Sequence, residues 1–431
     1  MRRALLYCTF NGVANCTNGI GRQTQTLLTA LSNRWDELVD RTGPFTPFLA
    51  IPTPGPLTWA YDPARLAASR AVVTERGGEV LSLDHDATAF WTPATWRQLS
   101  AGAAETALAL TDGFDQVAVI AVDTPFAGTG AAYRDRSPNT ATGVVRILTT
   151  LYGTTHIHDH PIPNPDRLAW ERYALAATHS DVYIADIGGY LTQHLVTDYG
   201  LDPARFLPWR SSLDLTAEDL HPMPAPAAAQ VAATFGISLD RPIVLTIGRT
   251  DPTKGIDLLI DALRPLRDQV HLVAIVVPFD GDDPLLRRYR HQITDAGLHA
   301  TLIPEFTRTL PRALASLSHT AVVACPARGE SLANVPFETA LWARHGGPVV
   351  VAPNRDGFPE QITHGETGLL YEPDQEGELT AAIRDGIALD PRARERMTHA
   401  AYQRVAADRD VIPNLADMLN RLLPPASADA R

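Results

Sequence analysis

Residues 325–353 read CPARGESLANVPFETALWARHGGPVVVAP, and two glutamates, Glu330 and Glu338, stand in this stretch with seven residues between them. The apolar residues 321–324 come directly before it and predict the end of a buried strand. Small and polar residues then carry Glu330 and Ser331 out at the carboxyl end of that strand. Ligands of open α/β sheets bind beyond the carboxyl ends of the strands, so we expect both glutamates to lie at a ligand site.

The residues that follow predict a helix that begins at the same place. We expect Asn334 or Ser331 to cap it. Pro336 fits its first turn, because a residue there has no intrahelical partner for the N–H that proline lacks. Glu338 then lies in the opening turns, beside backbone N–H groups without partners inside the helix. This arrangement offers amides to an anion and carboxylates to hydroxyl groups, and a phosphate-linked sugar has both.

The composition is that of a long, acidic and cysteine-poor chain. Its 431 residues exceed one ordinary core and predict two domains, for which a hydrophobic content of 45% is ample. With 37 basic against 49 acidic residues and a net charge of -12, we expect no binding to nucleic acid or to anionic membranes. Cys8, Cys16 and Cys325 are too few for a disulfide framework or a thiolate metal cage, and favour a reducing, cytoplasmic compartment.

The sequence does not predict stable insertion into a membrane. The longest apolar run, residues 272–279, is far shorter than a membrane span. The run ALLYCTF after Arg2 and Arg3 ends without a small-residue cleavage site, so we expect a first strand there rather than a signal peptide.

Apolar strand patterns alternate with helical patterns along the chain, and this alternation predicts parallel sheets. In the first half we expect strands at 4–10, 47–51, 80–83, 117–122, 144–151 and 182–184, and helices at 21–31, 96–110, 166–177 and 190–199. The Pro- and Ala-rich passage HPMPAPAAAQ from His221 interrupts the pattern. Strands follow at 243–247, 272–277, 301–303, 321–324, 349–352 and 368–371, and helices at 391–407 and 413–423 close the chain.

This order of elements predicts an α/β protein of two doubly wound, Rossmann-like domains facing across a cleft, which is a preferred place for a small-molecule site. We place the first domain at 1–215 and the second at 216–408. A final helix at 409–424 and a tail at 425–431 follow.

The segment IVLTIGRTDPTKGIDLLIDAL, residues 243–263, carries the strongest anion-binding pattern. Gly248 and Arg249 follow its strand, and Lys254 stands where the next helix begins. Lys254 is also the only lysine of the chain, which favours a site that requires a compact ammonium rather than a guanidinium, with chance retention as the alternative. A pyrophosphate leaving group gains charge as its bond to a sugar breaks, so these two cations would stabilise the transition state without a metal.

A glycine pattern, NGIGRQTQTLL from Asn18, follows the first strand. Gly19 and Gly21 would allow the backbone to approach a phosphate or a sugar closely at the start of a helix. Two glycines are also typical of an ordinary strand-to-helix turn, so both interpretations stay open.

Taken together, Arg249 with Lys254, then ESLANVPFE, then GGPVVVAPNRDGFPEQITHGETGLLYEP resemble the nucleotide-binding domain of group 1, family-four retaining glycosyltransferases of the GT-B fold. The similarity covers most of residues 241–390 and is weaker in the first half. It implies transfer of a sugar from a nucleoside diphosphate sugar, such as a UDP-sugar or GDP-sugar, without a metal or another cofactor and with retention of anomeric configuration. The donor would bind the second domain and the acceptor the first, and the final helix would cross back to the first.

The resemblance also implies residue roles. Arg249 and Lys254 would hold the pyrophosphate, Glu330 the donor sugar and Glu338 the ribose. The donor-binding set implied in this way is Gly19, Gly21, Gly248, Arg249, Lys254, Glu330, Leu332, Ala333, Asn334 and Glu338.

The sequence departs from the family pattern at several positions. Leu332 and Ala333 replace a common Phe-Gly pair, and Asn18 replaces the first glycine of the N-terminal loop. Tyr152 occupies the place of a histidine near the reacting carbon of the sugar. His156 or His158 could reach the same space, so the catalytic candidates are Arg249, Lys254 and Glu330 with Tyr152 and His158.

Other interpretations of these patterns stay open. The motif THIHDH at 155–160 is similar to a zinc signature of metallo-β-lactamase-type hydrolases but is one residue short, and the aspartate pairs 84/86 and 408/410 resemble DxD metal motifs. Neither outweighs the doubly wound pattern, so we expect no metal site. A nucleotide-sugar epimerase, a sugar phosphorylase or a catalytically inactive partner subunit on the same fold are the alternatives to a transferase. As acceptor we expect a small hydrophilic molecule, such as an antibiotic or other secondary-metabolite precursor, because no basic amphipathic helix suggests lipid docking.

Overall fold

The computed structural model describes residues 1–15, 18–54, 61–86, 91–136, 143–159, 162–176, 180–278 and 283–424. Within these ranges the chain forms two compact units. The first unit comprises Met1–Asp214 and the stretch that begins at Arg409, and the second comprises Leu215–Asp408. Cys16, His160 and the tail predicted at 425–431 lie outside the described residues.

The first unit contains a parallel sheet with helices between its strands. Its strands are β1 (Arg3–Cys8), β2 (Thr46–Pro52), β3 (Val80–Leu83), β4 (Gln116–Val122), β5 (Val144–Thr150), β6 (Val182–Asp186) and β7 (Phe206–Pro208). Its helices before the second unit are α1 (Gly19–Asn33), α2 (Trp35–Thr42), α3 (Pro63–Thr74), α4 (Pro93–Leu110), α5 (Thr129–Arg136), α6 (Thr155–His158), α7 (Pro165–Leu175) and α8 (Gly189–Tyr199). The sheet order in the described residues is β3-β2-β1-β4-β5-β6-β7.

Strand β1 lies inside this sheet, between β2 and β4, and all six of its residues are buried. Leu6 lies opposite Phe48 of β2 on one side and Val119 of β4 on the other. A strand covered on both faces has a continuous apolar sequence, which is why the strand pattern was readable at 4–10. The strand order reverses between β1 and β4, so the crevice beyond their carboxyl ends is the expected ligand position of this unit.

The second unit repeats the architecture. Its strands are β8 (Ile243–Arg249), β9 (His271–Val277), β10 (Ala300–Ile303), β11 (Thr320–Ala324), β12 (Val349–Pro353) and β13 (Leu369–Tyr371). Its helices are α9 (Ala225–Thr234), α10 (Ile256–Leu263), α11 (Pro284–Ala296), α12 (Thr309–Ala315), α13 (Asn334–Trp342), α14 (Phe358–Gln361), α15 (Glu378–Ala388) and α16 (Pro391–Asp408). Every observed pairing is parallel, in the order β10-β9-β8-β11-β12-β13, and the order reverses between β8 and β11.

The last helix, α17 (Val411–Leu422), belongs to the first unit. Its apolar residues at three- and four-residue spacing are buried. Where the chain re-enters this unit, Leu213 N–H donates to the carbonyl of Arg409 at 2.8 Å, and Val411 N–H donates to the carbonyl of Leu213 at 2.9 Å. Arg34 secures the same place through Asp410, with N–O distances of 2.6 and 2.9 Å.

The parallel α/β architecture of both halves is confirmed, while several elements differ in detail. Helices α2, α3, α5 and α6 and strand β7 were not predicted. Most of these elements are short, and α3 is Ala-rich with weak apolar periodicity. Strand β8 continues through Arg249, and α17 begins at Val411, two residues before the proline taken as its start. In the described part of the chain, no helix is long and apolar enough to cross a membrane.

Candidate functional site

Lys254 lies on the short loop after β8, at the carboxyl edge of the second sheet. Asp251 shapes this loop, because its Oδ1 accepts hydrogen bonds from the N–H and the hydroxyl of Thr253 at 2.9 and 2.6 Å. Burial acts to raise the pKa of Asp251, but these hydrogen bonds and the nearby cations outweigh it and hold the pKa below its usual value. The stem of Lys254 packs over Gly248, where an added methyl group would lie 3.5 Å from Cγ of the lysine.

The ammonium of Lys254 pairs with the carboxylate of Glu330, with Nζ 2.6 Å from Oε2. The Lys254 side chain is 23% exposed and that of Glu330 is 10% exposed, so water screens this pair less than a surface pair. Arg249 is the last residue of β8, and its Nη2 lies 3.4 Å from Oδ2 of Asp251. The structure therefore brings Lys254 and Glu330 together, with Arg249 at the end of β8, the strand that precedes Lys254.

Arg328 ties the loop after β8 to the loop after β11. Its backbone N–H donates to the carbonyl of Thr253 at 2.7 Å. Its guanidinium donates to the carbonyl of Pro252 at 2.7 Å and to both carboxylate oxygens of Asp257 at 2.8 Å. These hydrogen bonds from the guanidinium to Asp257 raise the pKa of Arg328. The two loops that carry the central ion pair are thus held by a bidentate contact that only an arginine provides.

Gly255 allows the same two loops to touch. Its φ is +65°, and a methyl group at this position would lie 2.0 Å from the carbonyl oxygen of Pro326. A side chain would therefore meet both backbone strain and a collision. Gly255 and Arg328 were not predicted as site residues, although the glycine directly after the sole lysine is a signal in the sequence.

The backbone of Glu330 is held from the loop before α14. The N–H of Glu330 donates to Oδ2 of Asp356 at 3.2 Å, and the N–H of Gly357 donates to the carbonyl of Glu330 at 3.0 Å. A methyl group on Gly357 would lie 1.8 Å from the carbonyl oxygen of Ser331, so this approach also requires glycine. Asp356 has a φ of +56°, which an aspartate adopts more readily than most residues.

The expectation that Asn334 or Ser331 caps α13 was wrong. The N-cap residue is Ala333, whose side chain makes no capping hydrogen bond. The physical reason is a tertiary contact: the side-chain amide of Gln361 accepts from the N–H of Ala333 at 3.1 Å and donates to its carbonyl at 2.7 Å. The helix therefore enters at a position fixed by α14. Glu338 follows in the second turn and is half-buried.

In the first unit, α1 begins at Gly19, and Asn18 is its N-cap residue. Oδ1 of Asn18 accepts a hydrogen bond from the N–H of Gly21 at 2.8 Å. Asparagine is a strong N-cap residue. Asn18, which stands where the family pattern has glycine, therefore caps α1 in this protein.

Asp123, Tyr152 and His158 converge at the carboxyl ends of β4 and β5. Asp123 is buried with a φ of +63°, and its N–H donates to the carbonyl of Thr150 at 2.6 Å. Burial raises the pKa of Asp123, and the nearby Arg167 and His158 oppose that rise. Burial also raises the pKa of Tyr152 to about 12. Asp123, which directly follows the apolar run of β4, was not predicted as a site residue.

The two histidine candidates, His156 and His158, contact different residues. Nε2 of His158 lies 3.4 Å from the carbonyl oxygen of Tyr152, and the ring of His158 packs on Gly153, where a methyl group would lie 1.8 Å from Nε2. The His156 ring instead contacts those of His194 and Tyr199, at centroid distances of 6.0 and 5.9 Å. Of the candidates that the structure describes, His158 is therefore the one beside Tyr152.

In the described ranges, no group of three or more His, Cys, Asp or Glu side chains could hold a metal ion. Asp410 of one aspartate pair binds Arg34, and Asp84 of the other accepts from the hydroxyl of Thr53 at 2.8 Å. His160 of the histidine motif is outside the described residues.

Residues 230–404 match the family model of glycosyl transferases group 1. This match spans nearly all of the second unit, hereafter the group 1 domain. Among relatives, a GDP-mannose-dependent alpha-(1-6)-phosphatidylinositol monomannoside mannosyltransferase of Mycolicibacterium smegmatis is 31% identical over 180 residues, which are 40% of this chain and 44% of the relative. An alpha-maltose-1-phosphate synthase of the same organism is 30% identical over 233 residues, 52% of this chain and 58% of the relative. The chain thus spans about half the length of these relatives.

Solved structures extend the similarity to nearly the whole chain. Sucrose-phosphate synthase from Thermosynechococcus elongatus matches with a TM-score of 0.71 and 17% identity, covering 98% of both chains. The Anabaena protein HepE in complex with UDP-glucose matches with a TM-score of 0.68 and 16% identity, covering 97% of this chain and 99% of that one. The group 1 domain and the first unit together therefore have the GT-B fold predicted from the sequence.

Proposed function

We propose that this protein is a glycosyltransferase that moves a sugar from a nucleoside diphosphate sugar to a hydroxyl group of a small hydrophilic acceptor. The observation that carries the proposal is the Lys254–Glu330 pair of 2.6 Å at the carboxyl edge of the group 1 domain, with Arg249 at the end of the adjoining strand. The match of residues 230–404 and the GT-B fold support it.

The proposed reaction uses these side chains in sequence. A bound diphosphate would compete with Glu330 for the ammonium of Lys254, leaving the carboxylate of Glu330 to accept hydrogen bonds from hydroxyl groups of the sugar. Lys254 and Arg249 would then neutralise the charge that grows on the departing diphosphate, which is the part of the reaction where fixed cations stabilise most. Glu338, in the second turn of α13, would accept from the ribose hydroxyls.

We further propose that no metal is needed and that the anomeric configuration is retained. Two fixed cations can take over the charge neutralisation that a divalent metal provides in other transferases. For retention, the acceptor hydroxyl would attack on the face of the leaving group, and the departing phosphate oxygen would take its proton. Asp123, Tyr152 and His158 of the first unit would surround the acceptor side.

The proposed donor is a UDP-sugar or a GDP-sugar. One relative is named as GDP-mannose-dependent, and one structural neighbour was solved with UDP-glucose. The proposed acceptor is an antibiotic or other secondary-metabolite precursor, and the proposed compartment is the cytoplasm, as inferred from the composition.

Three measurements test this function. Thermal unfolding with UDP, GDP, ADP and dTDP identifies the nucleotide, since a bound ligand raises the unfolding temperature. Hydrolysis of the matching sugar nucleotide in the presence and absence of EDTA then tests turnover and metal dependence, and NMR of the released or transferred sugar reports its anomeric configuration. Nucleotide binding without hydrolysis or transfer would contradict the proposal and favour an inactive partner subunit.

A further inference from the structure

The first unit contains an open cavity of about 590 Å³ between α6, α7 and α8. His156 lies on its α6 side, Arg172 on its α7 side, and Tyr190, His194 and Asp198 on α8. Its volume is in the range of small-molecule sites, but its lining is polar where such sites are usually apolar. The cavity lies entirely within the first unit, and none of the residues discussed above for the donor site lines it.

Two of the lining side chains have polar groups without a hydrogen-bond partner among the described residues. Arg172 is exposed in the last turn of α7, and in the described residues its guanidinium makes no hydrogen bond or ion pair. His156 is exposed and contacts its neighbours in that same part of the chain only through its ring. The guanidinium carries five N–H donors and the imidazole at least one, so together they favour an acceptor-rich, negatively charged group.

The wall behind them is fixed. Nδ1 of His194 lies 2.5 Å from Oδ2 of Asp198, and Nε2 lies 2.8 Å from the hydroxyl oxygen of Thr154. The carboxylate in the cavity is therefore already paired with an imidazole, which reduces its repulsion of an incoming anion. The rings of His156 and His194 meet edge to face at a centroid distance of 6.0 Å.

A buried network supports this wall from beneath. The Tyr199 hydroxyl donates to Oε2 of Glu171, which is fully buried. Oε1 of Glu171 accepts from Nε of Arg167 at 2.8 Å and from the N–H of Thr155 at 3.0 Å. Because Thr155 begins α6 and Tyr199 ends α8, the network fixes two walls of the cavity relative to each other. A site whose donors are positioned before binding loses less entropy when a ligand arrives.

We infer that this cavity binds the phosphate group of a hydroxylated small molecule, with Arg172 and His156 as the phosphate ligands and the Tyr190 hydroxyl as a further donor. Only the identification of this ligand as the acceptor rests on the proposed function. His156 stands on α6 two residues from His158, so the cavity and the Tyr152–His158 pair are separated by about the width of one helix, roughly 10 Å. An acceptor anchored here by its phosphate would have to span that distance to present a hydroxyl group to the pair.

The test is calorimetric titration of glucose 6-phosphate, with glucose as the neutral control, into protein saturated with the nucleotide that stabilises it, so that phosphate cannot occupy the donor site. Arg172→Gln and His156→Gln should each weaken binding of glucose 6-phosphate at least tenfold without changing the unfolding temperature. Arg70→Gln, which removes the same charge from an exposed position on α3, is the matched control and should bind like the wild type.

Equal affinity of all variants, equal affinity for glucose and glucose 6-phosphate, or no binding by the wild type would overturn the inference. The inference would also be overturned if the protein co-sedimented with vesicles of equal parts phosphatidylcholine and phosphatidylinositol but did not bind glucose 6-phosphate. The two proposals fail separately. Sugar phosphate binding through Arg172 without any transfer would refute the transferase function alone, whereas transfer to a neutral acceptor without sugar phosphate binding would refute the phosphate site alone.

Discussion

Replacing Lys254 by alanine should separate the chemical role of the site from its contribution to stability. The change leaves the carboxylate of Glu330 at 10% exposure without the ammonium that now lies 2.6 Å away. Removing one partner costs about 3–5 kcal/mol in fully buried ion pairs and about 0–1 kcal/mol in exposed ones. Since the lysine side chain is 23% exposed, we expect an intermediate loss of about 1–2 kcal/mol in the free energy of unfolding.

The expected loss of turnover is larger. A preorganised group that stabilises developing charge contributes about 10²–10³-fold in kcat, equivalent to about 3–4 kcal/mol. The assay is hydrolysis or transfer from the sugar nucleotide at saturating donor, run beside thermal unfolding of the same samples. Arg264→Ala is the control, because it removes a cation from an exposed pair with Asp261, 3.0 Å apart, in the same unit. It should change neither quantity appreciably.

If Lys254→Ala retained the turnover of the Arg264 variant, the lysine would be a structural cation and the site assignment would be refuted. The same conclusion would follow if its activity fell only in proportion to the unfolded fraction.

The remaining predictions concern the surroundings of the site. Asp257→Asn should lower the free energy of unfolding by about 1–2 kcal/mol at pH 7, because Arg328 loses a partly buried bidentate partner. Pairing with Arg328 outweighs burial and holds the pKa of Asp257 below 3.8. Thermal unfolding should therefore show the difference between variant and wild type above pH 4, and the difference should disappear as the pH falls through the folded-state pKa. Asp123→Asn should have the opposite effect on stability, because burial raises the pKa of Asp123 and its charged form is therefore unfavourable in the folded protein. Thermal unfolding should show that the variant is more stable than the wild type at pH 7, and that this advantage is absent below pH 3.8. Gly255→Ala should lower the unfolding temperature and abolish nucleotide binding. The control is Gly365→Ala, where φ is +76° but no atom lies within 4 Å of the added methyl group, so only the backbone cost of about 1 kcal/mol is expected. Equal melting temperatures of the two variants would contradict the close loop contact at Gly255.

The sequence was most informative for features that depend on residues close together in the chain, such as the spacing of apolar side chains. Buried parallel strands such as β1 and β4 have continuous apolar runs, so the α/β class and most strands were predictable. Lys254 could be singled out because it is the only lysine and stands between a strand and a helix. Glu330 could be placed at the same sheet edge because β8 and β11 are both parallel strands with their carboxyl ends at that edge.

Contacts between segments distant in sequence were not predictable. Gln361 fixes the start of α13 through Ala333, 28 residues away, which is why the local capping rule failed. Arg328 was not singled out because its partner Asp257 is 71 residues earlier. The choice between His156 and His158 depends on which side of a four-residue helix faces Tyr152, and alternation in the sequence does not determine this.

The most direct test of the central claim is a crystal structure of the protein with the nucleoside diphosphate that stabilises it. The account predicts phosphate oxygens about 3 Å from Nζ of Lys254 and from the guanidinium of Arg249, the distance of charge-assisted hydrogen bonds. A diphosphate bound elsewhere, with the Lys254–Glu330 pair intact, would contradict it.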